Sequence, residues 1–258
     1  MATYNITAGQ LRGAGILNSF EIAAGGASFT NTRSLDFDGT DDFVGMGTGT
    51  LLFNRTDTFT FSVWVKMHQS ELSVIIGKAF NGGDFDGYML WQNASGGKNT
   101  LNFRLRKNTS QLVQILSTST FNLNQWYHVA VTYDGSGANT GLKLYVDGIN
   151  QAGTRSGTLT QNLVWPEPAR PFNLGARMNG NLPFNGLIDE VGVFDSELSQ
   201  TNITNIYNSG VPASLASFSP INWWRFEEGS GTTAVDSGTG GLNGTLTNGP
   251  TYSTDVPS

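Results

Sequence analysis

The feature that most constrains this chain is a hydrophobic period of two. Phe59, Phe61, Val63, Val65 and Met67 alternate with Thr60, Ser62, Trp64 and Lys66. Leu101, Phe103 and Leu105 alternate with Asn102, Arg104 and Arg106, and Tyr127, Val129, Val131 and Tyr133 with His128, Ala130 and Thr132. Leu142, Leu144 and Val146 repeat the pattern. Successive side chains of a strand point to opposite faces, so each run reads as a strand with one face in a core. Shorter strands are expected at 34–38, 42–47, 72–78, 87–92, 112–117, 172–177 and 187–194. Between the runs lie Asp38-Gly39-Thr40-Asp41, Asn81-Gly82-Gly83-Asp84, Asp134-Gly135 and Asp147-Gly148. Asp-Gly tolerates the positive φ that tight strand connections require. About a dozen short strands with frequent turns predict an all-β fold, a two-sheet antiparallel sandwich. One short helix is expected near 199–209. Leu198, Ile203, Ile206 and Tyr207 have helical spacing, Ser199 caps the start, and Gly210 with Pro212 ends it.

Composition narrows the function. The 258 residues are 38% hydrophobic, enough for a sizeable core, and only 13% charged. The absence of cysteine excludes disulfides, thiolate metal sites and cysteine nucleophiles. A net charge of −6 argues against nucleic acid as a partner. No basic and apolar leader follows Met1, and no run reaches the ~18 apolar residues of a membrane span. A chain made in the cytoplasm, without membrane insertion, is expected. His68 and His128 are the two histidines, too few for a well-supplied nucleophilic triad or histidine metal site. His128 is expected as a sheet-surface residue.

Three segments differ in character. Residues 1–33, rich in Gly, Ala and Thr, read as an extended arm. Residues 34–212 hold the alternating runs. Residues 213–258 open on the apolar stretch Ile221-Asn222-Trp223-Trp224-Arg225-Phe226, which needs burial in this domain or a neighbour.

Four segments together resemble the laminin-G-like, or concanavalin A-like, jelly-roll domains. They are Ser34-Leu35-Asp36-Phe37-Asp38-Gly39-Thr40-Asp41-Asp42-Phe43-Val44; Phe59 to Lys66; Trp126 to Gly135 followed by Leu144-Tyr145-Val146-Asp147-Gly148; and Gly186-Leu187-Ile188-Asp189-Glu190-Val191-Gly192-Val193-Phe194 with the helix after it. The resemblance implies two packed antiparallel sheets of about six or seven strands each. The tail from Trp223 to Pro250 looks like the segment that usually opens such a domain. Here it comes last, so it completes either its own sandwich or a neighbour's. The same tail layout is similar to structural proteins of tailed phages.

The site expectations follow from both sources. Glycoside hydrolases of this superfamily carry Glu-x-Asp-x-x-Glu, which this chain lacks. Asp189, Glu190, Asp195 and Glu197 have the wrong spacing for it, and Glu227 and Glu228, adjacent on an expected strand, would face opposite ways. No catalytic residue is therefore assigned. Structural Ca2+, which takes six to eight oxygens, is the cofactor to weigh. Asp36, Asp38, Asp41 and Asp42 crowd one glycine turn, and the resemblance places Asp189 in a strand whose acidic residue binds calcium in relatives. Asp38, Asp41 and Asp189 are thus the metal candidates. The alternative for Asp38 and Asp41 is that they only brace the turn. Trp91 and Trp165, outside the family's structural positions, are the better exposed platforms for sugar stacking. Arg104, Arg106 and Lys107 read as a solvated strand face.

The resulting expectation is a non-catalytic virion structural protein, a decoration or fibre component of a tailed phage. Its partners would be other virion subunits, further copies of itself (a homotrimer by analogy) and host surface glycans. The alternative is a free carbohydrate-binding, lectin-like module; a glycoside hydrolase with an atypical site ranks third.

Overall fold

The computed structural model describes residues 29–79, 87–95, 98–163 and 170–258. The chain divides into residues 1–30 and 31–258, and the sandwich is built by the second unit. The arm expected over residues 1–33 lies outside the described residues as far as residue 28, and so does Trp165.

The alternating runs form strands. In chain order these are β1 (Ser34–Asp38), β2 (Phe43–Gly45), β3 (Phe59–Met67), β4 (Ser73–Ala79), β5 (Gly87–Ser95), β6 (Lys98–Arg106), β7 (Leu112–Ser117), β8 (Trp126–Tyr133) and β9 (Leu142–Val146). They continue as β10 (Ile149–Asn150), β11 (Gly153–Ser156), β12 (Asn173–Leu174), β13 (Asn185–Phe194), β14 (Asn222–Trp224), β15 (Thr233–Ala234), β16 (Gly244–Thr247) and β17 (Thr251–Ser253). All pairings among them are antiparallel and build two sheets. The first runs β10-β9-β8-β3-β13-β1-β17, with β14 also on β13; the second runs β11-β7-β6-β5-β4-β12-β2-β16-β15. This is the expected jelly-roll sandwich.

The core lies between the sheets because period two aims one row of each strand inward. Phe59, Phe61, Val63 and Val65 of β3 meet Tyr88 and Leu90 of β5 and Leu101, Phe103 and Leu105 of β6, all fully buried or nearly so. Phe61 packs 5.1 Å from Tyr88 and 6.0 Å from Phe103, ring centre to ring centre. Each such side chain contributes on the order of 2 kcal/mol by leaving water.

The C-terminal segment supplies both sheets of its own chain: β14 pairs with β13, β16 with β2, and β17 with β1. Trp224 is fully buried, stacks on Phe172 at 5.9 Å, and donates its indole N–H to the Leu242 carbonyl. Three expectations need correction. Glu227 and Glu228 do not sit on a strand, since β14 ends at Trp224 and a turn follows. The strand expected over 172–177 shrinks to two residues, because Gly175 turns away at φ +80° with the Phe37 ring where a Cβ would be.

The third concerns His128. The expected helix forms as α1 (Gln200–Tyr207), capped by the Ser199 side chain accepting from Asn202 N–H. Ile203 and Ile206 face inward, and Tyr207 lays its ring 5.9 Å from Trp64 and 6.2 Å from His128 on the outer face of the first sheet. His128 is therefore fully buried under α1 rather than exposed on the sheet.

Candidate functional site

Strand β13 carries the first feature. One of its edges is shared by two strands end to end: β1 pairs with residues 185–188 and β14 with residues 191–193. The seam falls on Asp189 and Glu190. There the register against β3 slips, and Glu190 takes φ +46°, unusual for a residue with a side chain. The chain before β1 and the chain after β14 meet at this seam. Asn31 donates its amide to Asp189 Oδ2 at 2.8 Å. Glu227 accepts from Thr32 N–H and hydroxyl, both at 2.6 Å, and from Arg33 N–H at 3.1 Å. Glu190 accepts from the Trp223 indole and from Arg225.

Asp189 is fully buried and Glu190 only 2% exposed. Burial, reinforced by the neighbouring Glu190, holds the Asp189 carboxyl well above the usual range. Glu190 is pushed up to about 7 by burial, against the pull of Arg225 and Trp223. Asn31 Oδ1, also buried, has no hydrogen-bond partner among the described residues. The seam therefore holds excess acceptor oxygen and a poorly compensated carboxyl.

Asp38 and Asp41 lie elsewhere. Asp38 is opposite Asn185, four residues along β13 from Asp189, or about 13 Å. The expected grouping of Asp38, Asp41 and Asp189 is thus split by the strand register. Asp38 and Asp41 instead meet Asp42, with one carboxylate oxygen of each within 4.8 Å of the others. Two of the three brace the turn, Asp38 accepting from Thr40 N–H at 2.7 Å and Asp42 from Asp38 N–H at 3.0 Å.

Trp91 points to the outer face of the second sheet, but it is not an open platform. It is 7% exposed, packed with Val74, Met89, Leu116 and Leu182. The segment after β12 crosses this face: Leu182 accepts from Val74 N–H, and Ala176 and Arg177 lie against Gly77. The Arg104 guanidinium covers the Trp91 ring at 5.4 Å. Burial, then the neighbouring Arg106 and Arg177, lower Arg104 to about 10. The expected solvated face is thus largely enclosed, with Arg106 only 8% exposed.

An open concavity lies at one end of the sandwich. A groove of about 550 Å3 is lined by Leu51, Leu52, Phe53, Thr56, Asp57, Thr58, Asp195 and Ile221. The β2–β3 loop forms most of it, and the turns after β13 and before β14 complete it. Thr58 donates its hydroxyl to the Asp195 carbonyl at 3.2 Å and ties two of these segments together. Leu52 is 44% exposed, while Phe53 is buried against Phe59 at 5.0 Å. Asp57 accepts from Asn54 N–H through Oδ2. Apolar atoms make the floor and Thr56, Asp57, Thr58 and Asp195 the oxygen-bearing rim. Both aspartates are exposed, without the apolar enclosure that a hydrolytic acid would use. Sequence reading missed this groove because its residues converge from separate turns and carry no motif. Asn31, Glu190 and Glu227 were missed as seam partners for the same reason.

The profile of the family described as the Concanavalin A-like lectin/glucanases superfamily matches residues 38–204. Among curated proteins, adhesion G-protein coupled receptor V1 of Danio rerio is 26% identical over 172 residues, covering 66% of this chain and 3% of the receptor. A protein from Bacteroides ovatus, thought to bind carbohydrate, superposes with a TM-score of 0.64 at 23% identity, covering 89% of this chain and 62% of that one. The SAP-like pentraxin of Limulus polyphemus gives 0.51 at 15% identity, over 69% and 82% of the two chains. The CBM40 of the Ruminococcus gnavus IT-sialidase, bound to α2,3 sialyllactose, gives 0.50 at 13%, over 68% and 97%. This chain therefore spans less than two thirds of the Bacteroides protein and a small part of the receptor; the structural likenesses establish fold.

Proposed function

Because this chain belongs to the Concanavalin A-like lectin/glucanases superfamily, we propose that it is a non-catalytic glycan-binding module whose ligand sits in the end groove. The observation that carries this reading is the groove's composition. A pyranose presents an apolar C–H face and a ring of hydroxyls. Leu52 and Ile221 suit the former, and Asp57, Asp195, Thr56 and Thr58 accept from the latter. The volume of about 550 Å3 lies in the range of small-ligand sites. The Ruminococcus domain, bound to α2,3 sialyllactose, and the Bacteroides protein, thought to bind carbohydrate, support this reading at the level of fold. The absence of a Glu-x-Asp-x-x-Glu strand supports binding without hydrolysis. A glycan array followed by calorimetry tests it. Binding that is lost in Leu52→Arg, with the melting temperature unchanged, is the expected result; no glycan bound by folded protein refutes it, and cleavage of a polysaccharide panel refutes the non-catalytic part.

The setting we propose is a phage particle, with other virion subunits or further copies of this chain as partners. The tail layout from Trp223 to Pro250 supports it, and association with purified particles is its test.

A structural Ca2+ at the seam is also proposed. Asp189 and the unpartnered Asn31 Oδ1 would hold it. An ion there supplies positive charge to a buried carboxylate and pins the chain before β1 to β13. Asp38, about 13 Å away along the register, and Asp41, clustered with it, are outside this proposed site. A melting temperature unchanged by EGTA, with no Ca2+ on elemental analysis, refutes it.

A further inference from the structure

The groove has a charge that its apolar floor does not require. Asp57 and Asp195 stand on neighbouring segments at its rim, and both are exposed. Among the described residues neither forms an ion pair; the surface pairs are Lys66 with Asp255 and Lys143 with Glu197. Among the described residues the Asp195 carboxylate accepts no hydrogen bond, and only Oδ2 of Asp57 is engaged, by Asn54 N–H. Arg55, the nearest cation in sequence, directs its side chain to Gly137, where its Cδ lies 3.4 Å from the position a Cβ would take.

Two uncompensated carboxylates lining one groove raise the local cation concentration. A neutral sugar would leave that charge uncompensated. An acidic sugar would add to it. A protonated amine beside the rim would offset it, while the carbon skeleton beside that amine covers Leu52 and Ile221. Threonine hydroxyls, which accept as well as donate, serve the remaining sugar hydroxyls.

We infer that the end groove selects glycans bearing a free amino group, such as glucosamine residues without N-acetylation, with Asp57 and Asp195 as the groups that recognise the ammonium. The inference rests on the glycan-binding reading of the same groove.

The test titrates the full chain with a glucosamine oligomer, its N-acetylated counterpart and a glucose oligomer of equal length. It is done at mildly acidic pH, where the amine is protonated, and at two salt concentrations. Exposed carboxylate–ammonium contacts are individually weak, so two of them predict about five- to tenfold preference for the amine at low salt. Raised salt should shrink it. Asp57→Asn with Asp195→Asn should bring the three oligomers to parity. Asp57 also braces the loop at Asn54, so Asp195→Asn alone is the second variant; it breaks no hydrogen bond and should remove part of the preference. Equal binding of all three oligomers by the unaltered chain, or unchanged preference in both variants, overturns the inference while leaving glycan binding intact. No binding of any glycan overturns both.

Discussion

Protonation of His128 should make this fold acid-sensitive by a calculable amount. The imidazole is fully buried between Trp64, 5.2 Å away, and Tyr207 of α1. Its Nε2 lies 2.8 Å from Ser62 Oγ, and Nδ1 has no hydrogen-bond partner among the described residues. The Asp147 carboxylate accepts from the His128 backbone N–H rather than from the ring. Nothing there solvates an imidazolium, and burial lowers the pKa from 6.5 to about 3. The folded state thus binds its proton later than the unfolded state. The stability this neutral ring contributes is full above pH 6.5 and is lost as pH falls toward 3. Across the middle of that window the unfolded chain holds one more proton, so stability falls by about 1.4 kcal/mol per pH unit. The whole window corresponds to about 5 kcal/mol, comparable with the total stability of many domains. Urea unfolding at pH 7, 6, 5 and 4 measures it, comparing the unaltered protein with His128→Gln. The variant loses stability at pH 7 but should show a slope shallower by about 1.4 kcal/mol per unit between pH 6 and 4. Parallel slopes would refute the argument, since the other titrating groups are common to both proteins.

Other predictions follow from single positions. Trp224→Ala removes a fully buried indole and its bond to Leu242, and should cost about 3–5 kcal/mol in chemical denaturation. Gly186→Ala should fail to give soluble protein, because φ is +144° and the new Cβ would sit 2.1 Å from the Lys66 carbonyl oxygen. Asp255→Asn weakens contacts to Lys66 and the Trp126 indole at the surface, and should lower stability by at most about 1 kcal/mol in the same assay. Removal of residues 213–258 should leave β13 and β2 each short of a partner and give aggregation on expression, read by gel filtration.

Much of the sandwich was legible because alternation is a local signal. β1 and β7 fall where the pattern places them, and α1 starts at the expected cap. What the period could not show is which outer faces are roofed. Trp91 and Arg106 alternate like exposed residues, yet the segment near Ala176–Leu182 crosses their sheet. His128 occupies an outward position that α1 covers from about seventy residues away in sequence. The separation of Asp189 from Asp38 required the β1–β13 register, which no local pattern contains. The groove is a product of three turns and has no periodicity to read.

The arrangement of β14, β16 and β17 also constrains how the molecule can be made. Each completes a sheet whose partner strand was synthesised long before: β17 joins β1 across about 215 residues, and β16 joins β2 across about 200. During synthesis the edges of β1 and β2 therefore stay open until nearly the last of these residues has left the ribosome. Closure is late and rests on non-local contacts, which makes the nascent chain slow to mature and vulnerable to pairing with another copy of itself. An arrest sequence placed after residue 212, compared with one placed after residue 258, would show this directly as a difference in the force the folding chain exerts.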